Sequence, residues 1–158
     1  MIATILIHLP LVLIPVLAQP STGSCQFDAL TPQAIEERAV AILSRKAKGL
    51  LAYDEVLAEL ADADCASALA SVISERTRLR PELVRRALEA DSDEAISVMC
   101  CAAGFKMNSC SALLRMRRRQ GRGFDSAPTQ SLNFFSGLTR ASAERLLPRL
   151  VAGLADRG

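Results

Sequence analysis

The sequence predicts an all-α fold: stacked antiparallel helical hairpins, HEAT-like or an irregular helical bundle, behind an apolar N-terminal segment. Three observations predict it. Half of the residues are apolar but only 4% are aromatic, with no Trp, so Leu, Ala, Val and Ile must build the core. Leu and Ala are strong helix formers. Apolar residues recur at three- and four-residue spacing, and no run of four to eight residues alternates convincingly with period two. Helix punctuation is frequent, from Thr31-Pro32 and Arg80-Pro81 at starts to Gly49, Gly104 and Gly137 at ends.

Residues 1–19 read as an apolar leader, since no Lys, Arg, Asp or Glu precedes Asp28. Val16-Leu17-Ala18 ahead of Gln19-Pro20 has the small-residue character of a signal-peptidase site. No base follows Met1, however, Pro10 and Pro15 would kink a spanning helix, and the run sits at the lower limit of length for a span. Signal, membrane anchor, docked apolar helix and remnant of a longer ancestor therefore all stand as readings. Cys25 lacks the Leu expected three residues before a lipidated cysteine. Residues 20–27 form a linker and 28–158 a single helical domain.

Within that domain, Thr31 caps a helix that Pro32 opens and that runs to about Lys48, with Arg45, Lys46 and Lys48 favouring its dipole. A second helix spans about Tyr53 to Ala61. Asp64 caps a third, with Cys65, Leu69, Val72 and Ile73 on one face, and Arg80-Pro81 starts a fourth that reaches about Ala90. Ser92 opens a fifth, whose Ile96, Met99, Cys100 and Ala103 form a buried stripe that Gly104 ends. Asn108 or Ser109 caps the sixth, turning Cys110, Leu113 and Leu114 inward. A flexible stretch from Gln120 to Thr129 precedes a short helix over Ser131–Ser136. Thr139 caps the last, where Ala143, Leu147, Leu150, Val151 and Leu154 make the stripe and Pro148 should bend or split it. Phe134-Phe135 with Leu138 docks that helix on the core or, if exposed, offers a partner site. Short connections predict antiparallel hairpins; residue identities do not recur at a fixed period.

Charge is unevenly distributed. From Asp28 to Glu94 fourteen acids face nine bases, a balance of −5, whereas from Phe105 to Gly158 three acids face ten bases, a balance of +7. Such a chain can meet an acidic partner through its C-terminal half, or simply be soluble.

Three stretches together resemble a known family. They are Pro81–Leu88 (PELVRRAL), Asp93–Phe105 (DEAISVMCCAAGF) and Ala112–Arg117 (ALLRMR), followed by Leu138–Leu147 (LTRASAERLL). In order and spacing they are similar to the C-terminal part and closing helix of the family numbered 2336 among domains of unknown function. The resemblance covers roughly Leu30 to Val151. It implies an all-α, mainly alphaproteobacterial protein with repeat-like hairpins, a cytoplasmic location, and no accepted catalytic residue, cofactor or substrate. Two departures stand out: the chain is short for the family, and its apolar leader opens the alternative of an exported or membrane-anchored domain.

The residues point away from catalysis. The only histidine is His8, in the leader. The acidic pairs Glu36–Glu37, Asp54–Glu55 and Asp93–Glu94 are adjacent, which on a helix aims them apart, so they read as solvated or capping groups. A cysteine nucleophile has no histidine partner in the domain. Cys25, Cys65, Cys100, Cys101 and Cys110 include no Cys-x-x-Cys pair, so neither zinc nor any other metal or cofactor is expected. The odd count suits a reducing compartment, although export would admit a bridge from Cys100 or Cys101 to Cys110. The sharpest local feature is the run of Arg115, Arg117, Arg118, Arg119 and Arg122. It reads as solvated cations at a helix C-terminus, or as a contact surface for an acidic protein, membrane headgroups or nucleic-acid phosphates. No aromatic residue interleaves it for base stacking. The expected function is a non-catalytic helical protein-interaction module with a protein partner. The alternatives are a nucleic-acid-associated protein acting through 115–122, and a domain touching membrane through residues 1–19.

Overall fold

The computed structural model describes residues 31–122 and 127–155; the leader, the linker and Cys25 lie outside them. The described residues form eight helices and no strand: α1 (Pro32–Ala47), α2 (Tyr53–Asp62), α3 (Ala66–Thr77), α4 (Pro81–Glu89), α5 (Glu94–Ala103), α6 (Met107–Arg119), α7 (Pro128–Gly137) and α8 (Arg140–Ala155). The all-α expectation holds. The closest packings join α2 to α6 and α5 to α8, elements far apart in sequence, besides the neighbours α3 and α4. The arrangement is therefore the irregular bundle rather than a linear stack, in which each hairpin would touch only the next.

α5 is the hub. Ala95 through Ala103 are all buried, and the helix packs against α3, α4, α6, α7 and α8. Its small residues make that possible, since Ala95, Ser97, Cys100, Ala102 and Ala103 let neighbouring backbones approach from several sides. Leu57, Leu60, Leu69, Ile73, Ile96, Met99, Leu113 and Met116 fill the spaces between and are fully buried. The four cysteines among the described residues, Cys65, Cys100, Cys101 and Cys110, are free and buried, packing as small hydrophobes. The conditional bridge to Cys110 is not formed.

Helix ends follow the sequence in some places and depart in others. Thr31 Oγ1 accepts the Ala34 N–H at 3.3 Å, and Thr139 Oγ1 accepts the Ser142 N–H at 3.1 Å while Ser142 Oγ accepts the Thr139 N–H at 3.0 Å, so both predicted caps form. Gly104 ends α5 in the left-handed region at φ 77°. Asp64 is not a cap. It lies at φ 56°, with Cys65 in the cap position, and its carboxylate accepts from Arg119 at 3.0 Å. The cap position of α6 is Lys106, two residues before Asn108 and three before Ser109, because its start is capped from another helix: Asp54 Oδ1 on α2 accepts the Lys106 N–H at 2.7 Å and the Ser109 hydroxyl at 2.6 Å. α7 opens at Pro128, the position proline prefers, earlier than Ser131. α8 runs unbroken through Pro148. Glu144, whose carbonyl loses its donor there, is exposed, so water can replace the missing bond.

Beside α1, Lys46 Nζ donates to Glu75 Oε2 and lies 4.5 Å from the Tyr53 ring, while Tyr53 Oη donates to Glu75 Oε1 at 2.6 Å. Burial alone would depress the Lys46 ammonium, but Glu75 and Tyr53 outweigh it and raise its pKa above the usual lysine value. The same two donors, Lys46 first, hold the Glu75 carboxyl below its usual range.

Candidate functional site

The five predicted arginines separate into different environments. Arg117 is fully buried. Its Nη1 donates to the Ser92 carbonyl at 3.1 Å and lies 3.3 Å from Asp93 Oδ1, and its Nη2 donates to the Ala90 carbonyl. Burial pulls its pKa down and Asp93 opposes that pull. Arg117 is thus not the exposed contact that its sequence context suggests. Arg118 Nη2 lies 3.6 Å from Asp93 Oδ2. Arg119 Nη2 donates to the Ala61 carbonyl at 2.7 Å and to Asp64 Oδ1. Arg115 lies outermost, 58% exposed, donating to Ser111 Oγ at 3.0 Å with Asp62 3.9 Å away. Arg122 is half-buried.

These contacts belong to a wider pattern in which arginines close the C-termini of other helices. The last carbonyls of a helix have no internal donor and carry the negative end of its dipole, so a guanidinium satisfies both needs. Arg117 does this at the end of α4 through Ala90, and Arg119 at the end of α2 through Ala61. Arg76 does it at α5 through the Ala103 carbonyl at 3.1 Å, and Arg86 at α8 through the Leu154 carbonyl at 3.1 Å. Asp93, expected to be solvated or capping, is instead buried between Arg117, Arg118 and Ser131, whose hydroxyl donates to it at 2.8 Å.

The surface that remains uncovered lies elsewhere. Between α5, α7 and α8 runs a trough of about 540 Å³, floored by Ala95, Val98 and Leu154 and walled by Phe134, Leu146 and Leu150. Phe134 and Leu146, 38% and 37% exposed, stand on its rim. Of the predicted α8 stripe, only Ala143 and Leu154 are buried; Leu147, Leu150 and Val151 are half-covered. The Phe134-Phe135 pair divides the two roles foreseen for it, with Phe135 docked in the core and Phe134 facing the trough. Leu146 and Gly153 escaped the sequence reading because neither falls on the buried stripe. Arg149 and Glu94 stand at the trough margins.

No group of three or more His, Cys, Asp or Glu able to hold a metal ion occurs among the described residues. The Cys100 thiol is raised well above its usual pKa by its hydrogen bond with Cys110 and by burial, which keeps it protonated and poorly nucleophilic. Among the described residues no helix is long and apolar enough to cross a membrane. Residues 19–148 match the model of one family, described as an uncharacterised protein conserved in bacteria (DUF2336). No curated protein and no solved structure matches the chain.

Proposed function

The chain belongs to the DUF2336 family of uncharacterised bacterial proteins, and on that footing we propose that it is a non-catalytic helical interaction module whose trough between α5, α7 and α8 receives an amphipathic helix of a partner protein. The observation that carries this reading is the apolar trough itself, where half-covered Leu150 and buried Val98 and Leu154 lie open between exposed Phe134 and Leu146. A contiguous apolar surface with polar margins marks a contact site, and a trough between helices fits the apolar face of another helix. Charge selects the partner's chemistry. Arg145 and Arg149 are exposed on α8, whereas Glu144 is already engaged by Arg140 at 3.0 Å. The docked helix therefore carries an acidic residue where it faces Arg149 on α8 and none where it faces Glu94 on α5. The nucleic-acid reading has less support, because Arg117 and Arg119 hold backbone carbonyls and carboxylates of their own chain.

A photocrosslinking residue at position 146 of the full chain, expressed in its native cells, tests this. The expected result is one dominant protein adduct that disappears when Gly153→Leu fills the trough. A Cβ at Gly153 meets nothing within 4 Å, and replacing a helical glycine favours the helix, so that variant should fold normally. An adduct unaffected by Gly153→Leu, or none at all, would overturn the reading.

A further inference from the structure

Next to the trough, between α5 and α7, lies a smaller recess of about 260 Å³ that shares Glu94 and Phe134 with it. Its lining is otherwise polar: Asp93, Ser97, Ser131, Gln130 and Asn133. Ser97 is completely buried, yet its hydroxyl has no hydrogen-bond partner among the described residues. A buried hydroxyl left unpaired is costly, and native proteins rarely retain one without a use. Ser131 gives its proton to Asp93, so the recess is left with one hydroxyl able both to donate and to accept, beside the side-chain amides of Gln130 and Asn133.

We infer that this recess is a recognition site for an uncharged carboxamide, the side chain of an Asn or Gln carried by the helix that docks in the trough; the inference rests on the trough reading above. The charges around the recess decide the class. Asp93 is matched by Arg117 and Arg118, with only the exposed Glu94 carboxylate at the mouth. Glu94 disfavours a carboxylate, and the two guanidiniums behind Asp93 disfavour an ammonium. A carboxamide both donates and accepts, which matches the unpaired Ser97 hydroxyl and the exposed amides of Gln130 and Asn133, and it adds no charge to be desolvated. Because the recess opens beside the trough, one helix can place apolar residues in the trough and the carboxamide in the recess.

Three probes with the same six-carbon chain, hexanamide, hexylammonium and hexanoate, separate the outcomes when titrated into the isotopically labelled full chain and followed by amide NMR shifts. Hexanamide should move the Ser97 and Ser131 resonances at least threefold further than either charged probe, and Ser97→Ala should abolish that difference. All three probes should move Leu150 and Gly153 in the trough. A charged probe moving Ser97 equally, or hexanamide moving the trough alone, overturns the recess assignment and leaves the trough intact. Silence at Leu150 and Gly153 with every probe counts against both.

Discussion

Arg117 illustrates how a charge can serve the interior of a small helical protein. It sits at the position where the apolar stripe of α6, through Cys110, Leu113 and Leu114, requires an inward side chain, and its guanidinium reaches the end of α4 and Asp93. Taking such an ion out of water is costly, and removing one partner of a buried pair leaves the other uncompensated. Arg117→Ala should therefore lower unfolding stability by about 3–5 kcal/mol in urea titrations, whereas the double change Asp93→Asn/Arg117→Met should lose less than the single one. A loss within experimental error for Arg117→Ala would remove the staple role. Glu75 gives a contrasting case at the surface. Its pKa is lowered in the folded state, so its contribution is present above the unfolded carboxyl pKa of about 4.3 and disappears as pH falls through the folded value. Because Glu75 is half-exposed, Glu75→Gln should cost under about 1 kcal/mol at pH 7. The difference from wild type should shrink as pH falls below the unfolded carboxyl value and vanish once Glu75 is protonated in the folded state as well, measured by thermal melts across pH. A constant difference would show that charge is not its source. At this scale the sequence was partly legible: the spacing that made Leu113 and Leu114 inward also made Arg117 inward, but a run of arginines reads as a solvated surface.

Helices were legible where local chemistry decides them. Pro32 and Pro81 begin α1 and α4, Gly104 ends α5, and Thr31 and Thr139 cap α1 and α8. Where a partner from elsewhere in the chain supplies the cap, local reading fails. Asn108 and Ser109 were the local candidates for α6, but Asp54, more than fifty residues earlier, takes the role. The same carboxylate anchors α2 on α6, one of the closest packings in the molecule. Asp54→Ala removes a cap and the shorter of two acceptors of the buried Ser109 hydroxyl, which keeps the Asp54 carbonyl at 3.2 Å, so a loss of about 0.5–2 kcal/mol is expected by chemical denaturation. An unchanged midpoint would mean that α6 starts independently of α2. Pro148 was read as a bend or break, and the helix continues because the orphaned carbonyl lies on the exposed side.

Across the whole molecule, the fold class follows from aliphatic periodicity, but the pairing of α2 with α6 and α5 with α8 does not. Periodicity states that a face is buried and is silent about which helix buries it. The same limit hid the trough. Leu150 carries the spacing of a core stripe, and only the packing of α5 and α7 shows that it is half-covered and that Leu146 and Gly153 beside it face the same trough. The arginines of the second half of the chain divide: Arg117 and Arg119 close helix C-termini, Arg118 faces buried Asp93, Arg115 stays exposed on α6, and Arg149 stands exposed at the margin of the trough. The protein captured by the residue-146 crosslink allows the decisive comparison, its affinity for two variants measured side by side against wild type. Gly153→Leu should weaken binding more than tenfold and Arg115→Ala/Arg122→Ala less than threefold. Binding that ignores Gly153→Leu but collapses with the two arginines would contradict the account and return the contact surface to the 115–122 segment.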